Sequence, residues 1–106
     1  MLTEVAALDA ILHEHKAALG KAYTPYRNHT YRVVNFCVAL LPDGHEQVEK
    51  IAIAAAFHDL GIWTDGTFDY IAPSVRLASR YLGEAGLHAW IAEVRAMIEE
   101  HHKVSR

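Results

Sequence analysis

Apolar residues return every three or four positions along most of this chain, the spacing of one helix face and not of a strand. Val5, Leu8, Ile11, Leu12, His15 and Leu19 make the first stripe, with Thr3 as its expected cap and Gly20 as its stop. Tyr23-Thr24-Pro25 reads as a turn, and a second helix from about Tyr26 to Leu40 sets His29, Val33, Phe36 and Leu40 on one face before Pro42-Asp43-Gly44 ends it. The third helix runs from about Glu46 to Leu60 with Val48, Ile51, Ala55 and His58 in register. Its alanines let neighbouring helices approach closely, and Gly61 fits the position just past its end.

Between Ile62 and Ala72 the period disappears and Asp65-Gly66 forms a tight-turn pair, so an irregular loop is expected, anchored by Trp63, Phe68 and Tyr70. Pro73 suits the first turn of a fourth helix through about Leu82, after which Gly83 and Gly86 mark a turn. A fifth helix from about Leu87 to Lys103 aligns Ile91, Val94, Ile98 and His101, with His102 alongside. No strand pattern, internal repeat or low-complexity tract interrupts this succession. The expectation is an all-α domain, a compact bundle of about five helices occupying residues 1–106 as one unit.

Composition narrows the classes. A chain of 106 residues that is 52% hydrophobic buries a core without disulfide support. A formal charge of −3 leaves no broad basic surface, which argues against nucleic acid as an obligatory partner and leaves room for a small anionic substrate. Glu4, Asp9, Glu14 and Lys16 interrupt the apolar positions that a signal peptide would keep continuous. The longest apolar run, Ile51 to Phe57, has seven residues against the roughly 20 a membrane span requires, so no membrane role is expected. Cys37 is the only cysteine; set among Val34, Phe36 and Val38, it reads as a buried small apolar residue, in keeping with a reducing cytoplasm.

Eight histidines are the compositional oddity, and the useful distinction is which of them point inward. His29 and His58 each continue an apolar stripe and so should project into the core. Asp59 follows His58, about 100° further round a helix, so the two could share an ion only near a helix end, which Gly61 supplies. Two imidazoles and a carboxylate form a mixed nitrogen and oxygen set suited to Mn²⁺, Fe²⁺, Co²⁺, Ni²⁺ or Mg²⁺, and no cysteine pattern argues for structural zinc. Such an ion lowers the pKa of a bound water toward about 7 and neutralises charge on a phosphoryl oxygen, while Asp59 could orient that water. Arg32, three residues after His29 and on nearly the same face, could hold a phosphate oxygen bidentately; a structural ion pair is the competing reading. The competing reading of His29 is a core histidine bonded to a carbonyl, and that of His58-Asp59 a helix-end histidine beside a solvated acid.

Three segments, Asn28-His29-Thr30-Tyr31-Arg32-Val33, Ala55-Ala56-Phe57-His58-Asp59-Leu60-Gly61 and Met97-Ile98-Glu99-Glu100-His101-His102-Lys103, follow one another in an order that resembles the HD-domain metal-dependent phosphohydrolases. The resemblance covers about residues 26–103. It implies His29, His58 and Asp59 as three metal ligands, with His101 and His102 the nearest match to histidines that hold a second metal or contact phosphate. An exposed helix end is an equal reading of that last pair. The family's last ligand, an aspartate on a further helix, has no counterpart before Arg106; a truncated chain would explain it, as would Asp65, Asp69, Glu99, Glu100, water or a second copy completing the sphere. The resemblance implies hydrolysis of a small phosphate ester, a nucleotide among the candidates. The same scaffold hosts hydration and oxidation of small non-phosphate molecules. A different class also stays open: a non-catalytic metal-binding or regulatory module, or a remnant that forms a homodimer over an open core.

Overall fold

Helix is the only regular structure among the described residues of the computed structural model, which are 2–66 and 71–104, side chains being described as far as Glu100. Five helices of nine or more residues, α1 (Ala6–Glu14), α3 (Tyr23–Leu40), α4 (Val48–Phe57), α6 (Ile71–Glu84) and α7 (Ile91–Val104), are accompanied by the single turns α2 (Lys16–Leu19) and α5 (Gly61–Thr64). The fold is all-α, as the periodicity requires. By contacts the chain divides into two compact units, residues 1–56 and 57–106. No described helix is long and apolar enough to cross a membrane.

In the first unit Leu8, Ile11, Leu12 and Leu19 are buried as their spacing predicts. Thr3 is not the cap: Val5 occupies that position without a side-chain bond, and the helix breaks at His15, whose φ of −101° and ψ of 15° leave the α region. No Gly or Pro marks that break in the sequence. The chain before α1 is tied down by α3. Leu2 N–H donates to Asn35 Oδ1 at 2.7 Å, Asn35 Nδ2 donates to the Leu2 carbonyl at 2.9 Å, and Val5 N–H donates to the Tyr31 hydroxyl at 2.9 Å.

The α3 helix begins three residues earlier than the turn signal suggested, at Tyr23. Pro25 is its third residue, where a missing N–H costs nothing because the first four have no intrahelical acceptor. Its buried face is also not the one the apolar stripe indicated. Tyr26, Thr30, Tyr31, Val34 and Val38 are buried, whereas Phe36 and Leu40 are 55% and 65% exposed and Val33 is half-buried. The physical reason lies in satisfied hydroxyls. Thr30 donates back to the Tyr26 carbonyl at 2.8 Å, Tyr26 donates to the Ala56 carbonyl at 2.8 Å, and Tyr31 accepts from Val5, so polar-looking residues bury their carbon without an orphaned oxygen. Cys37 is half-buried, and burial pushes its thiol pKa up. Replacing Phe36 or Leu40 with serine is expected to leave the thermal midpoint nearly unchanged, within about 0.5 kcal/mol, whereas a drop of the size seen for core truncations would return these side chains to the core.

Glu49 in the first turn of α4 is exposed, but every residue from Ile51 to Phe57 is buried, so this stretch has no solvent face, which its run of alanines permits. The helix is shorter than the periodic stretch, starting at Val48 and ending at Phe57, three residues before the predicted Leu60. Gly61 does not terminate it but opens the separate turn α5, and Ile62 to Thr64 are helical where a loop was expected. Phe68, Asp69 and Tyr70 lie outside the described residues. In the second unit α6 packs on α7, burying Ala78 and Leu82 of one and Val94 and Ile98 of the other. Phe57 meets the Tyr81 ring at 5.6 Å between centroids. Gly83 is inside α6, not past its end, and Gly86, at φ 75°, makes the turn. The first residues assigned to the fifth helix, His88–Trp90, form a 3₁₀ turn.

Candidate metal centre

His29 lies in the second turn of α3, one position before buried Thr30, and is half-buried. His58 and Asp59 follow the last residue of α4 directly. There the α ladder gives way to a tighter bond, Leu60 N–H to the Phe57 carbonyl at 3.1 Å. The dipeptide thus sits in a tight turn just past the end of α4. His58 Nε2 and Asp59 Oδ2 are 2.9 Å apart, the imidazole 2% exposed and the carboxylate 21%. The buried member is the nitrogen donor and the solvent-reaching member is the oxygen donor.

His29, His58 and Asp59 each offer one ligand atom, and these atoms lie within 4.8 Å of one another. Two atoms each about 2.1 Å from one ion stand at most about 4.2 Å apart, and about 3.0 Å when adjacent in an octahedron. The separation of His58 and Asp59 matches the adjacent case. By its chemistry, two imidazoles and one carboxylate, the donor set could hold a divalent ion.

Asp65, considered as a fourth ligand from sequence, is engaged elsewhere. Arg76 Nη2 donates to Asp65 Oδ1 at 2.9 Å and to Oδ2 at 2.8 Å, and Thr64 Oγ1 donates to Oδ1 at 3.0 Å. The Arg76 guanidinium holds the Asp65 carboxyl below the usual carboxylate range. A lowered folded-state pKa means stability that is present above the ordinary value of about 4 and lost as pH falls through the folded one. Arg76→Ala should therefore unfold at a slightly lower temperature than the parent at pH 7, with the gap closing below about pH 4; a gap that persists in acid would assign the loss to packing.

Glu99 pairs with Arg95 along α7 at 3.5 Å. Asp69 is outside the described residues, and so are the side chains of His101 and His102, which belong to the last turns of α7. Trp63 is half-buried in α5. Arg32 is exposed and opens, with Asn28, Tyr31, Leu2 and Thr3, onto a pocket of about 390 Å³ whose lining does not include His29.

Sequence reasoning passed over two residues that the structure places beside the ligand pair. Tyr26 was read only as a helix start and Ser74 not at all, yet Ser74 is fully buried and its Oγ accepts the Gly61 N–H at 3.0 Å. Neither bond leaves a trace in local spacing, because both partners are distant in sequence.

Comparison with known families matches residues 26–106 to the model described as HD domain. No curated protein and no solved structure matches the chain.

Proposed function

Because the chain belongs to the HD-domain family, we propose that it is a metal-dependent hydrolase of a small phosphate ester, with nucleotides the first class to try. The observation that carries this reading is the gathering of two imidazoles and one carboxylate within 4.8 Å. With no thiolate among them, these donors suit Mn²⁺, Fe²⁺, Co²⁺, Ni²⁺ or Mg²⁺. When bound, such an ion supplies Lewis acidity, acidifying water toward a pKa of about 7 and drawing charge from a phosphoryl oxygen.

The chain's own groups do the remaining work. Burial holds the His58 ring in one orientation, so its ligand nitrogen needs little ordering when the ion arrives. Asp59 reaches solvent, and its proposed role is to accept a hydrogen bond from an incoming water and turn that water's oxygen toward phosphorus. Arg32, about 60° round α3 from His29, is proposed to bind a phosphoryl oxygen; its exposure leaves the guanidinium accessible. A cytoplasmic setting accords with the lone cysteine.

The test has two stages. Elemental analysis of purified protein asks whether a divalent ion is present, and a panel of nucleotides and generic phosphate esters with Mn²⁺, Co²⁺ or Ni²⁺ asks whether phosphate is released in proportion to bound metal. Metal without turnover of any panel member would recast the chain as a metal-binding regulatory module. Absence of metal affinity would overturn the reading altogether.

A further inference from the structure

Two buried hydroxyls pin the backbone on either side of the ligand pair. Ala56, two residues before His58, has its carbonyl in the last turn of α4, where no later amide of the helix can reach it. Tyr26, itself buried, donates its O–H to that carbonyl at 2.8 Å. Gly61, two residues after Asp59, carries a first-turn N–H of α5 that likewise has no intrahelical acceptor, and the buried Ser74 Oγ accepts it at 3.0 Å. Left unmet, either buried group would carry the full desolvation penalty of an unpaired polar group, so each bond opposes any shift of the backbone it holds. Between the two anchored groups stand four residues, Phe57 to Leu60, and the ligands are the middle two.

We propose that Tyr26 and Ser74 are positioning residues for the metal ligands, acting through the backbone instead of through the ligand side chains. This rests on the metal reading above. A segment fixed at both ends has little freedom to turn His58 or Asp59 away from the other. Losing either hydroxyl frees one end, so the ion must then order the segment as it binds, and its affinity falls. The two hydroxyls differ in sense: Tyr26 donates to Ala56 and Ser74 accepts from Gly61, so Tyr26→Phe and Ser74→Ala remove these bonds with almost no change in volume.

The experiment titrates Mn²⁺ into the parent, Tyr26→Phe, Ser74→Ala and Val94→Ala, and follows amide hydrogen exchange of the metal-free proteins. Val94 is fully buried in α7 and serves as a core truncation that leaves both hydroxyls in place. Each hydroxyl variant is expected to bind Mn²⁺ about 10-fold more weakly, the scale of a lost supporting bond at a metal site. Amides near the freed end, Leu60 and Gly61 for Ser74→Ala, should exchange faster, while Val94→Ala keeps parental affinity. Parental affinity in both hydroxyl variants would overturn the positioning role and leave the metal reading standing. Equal weakening in Val94→Ala would overturn it too, by assigning the effect to general stability. A parent that does not bind Mn²⁺ removes the metal reading and this role together.

Discussion

Replacing His58 with alanine is expected to abolish stoichiometric metal binding and, with it, any phosphate release. The affinity loss should exceed the 10–100-fold typical of an outer supporting partner, because a donor atom itself is removed. His58 is buried, so the alanine variant also leaves a cavity, and metal loss alone could reflect a damaged fold. Asp59→Asn separates the two effects. It keeps size and shape, removes the negative charge from a side chain that reaches solvent, and should lose metal with the fold intact. Elemental analysis of both variants beside circular dichroism decides the matter: stoichiometric metal retained in both would place the ion, if any, elsewhere.

The second large effect is expected at Gly44, which opens the turn between α3 and α4. A Cβ there would land on the Val38 carbonyl oxygen, with the Val38 carbonyl carbon 2.7 Å and Cα 2.8 Å away. These are backbone atoms at the end of α3 that cannot rotate aside as a side-chain tip would. Gly44→Ala must therefore move the helix end or the turn, at a cost near the upper end of overpacking changes, about 3 kcal/mol. Urea unfolding measures it, and an unchanged midpoint would show that the close approach is not kept in solution. Gly20 tolerates a side chain in space but not in conformation: nothing lies near its Cβ position, yet its φ is 50°.

How much of this could be read from the chain alone depends on where each residue finds its partner. The five longer helices were legible, because burying one face imposes a period that survives without knowledge of the neighbour. The face of α3 was misread for the complementary reason. Hydrophobic spacing assigns Phe36 and Leu40 to the core and leaves out Tyr26, Thr30 and Tyr31, whose hydroxyls have acceptors or donors supplied by Ala56, Tyr26 and Val5. Two of these partners lie 26 and 30 residues away. The same distance hid the Ser74–Gly61 bond, and it hid the Asp65–Arg76 pair that removes one candidate ligand. His58 and Asp59 were legible because two unlike donors at a helix end carry their own chemistry. The end itself was placed three residues late, since apolar Leu60 prolonged the pattern past the turn at Phe57.

The absence of a solvent face from Ile51 to Phe57 has a kinetic corollary. Amide protons from Ile51 to Ala56 lie in the most buried stretch of the first unit, so they should be among the slowest to exchange, and their rate is expected to report its largest opening. A chelator that strips an ion from the adjoining histidine and aspartate would speed the labelling of this rod only to the extent that the ion had been contributing to the folded state. Isotope labelling along one short stretch thus weighs how much of the molecule's persistence is owed to any ion bound there.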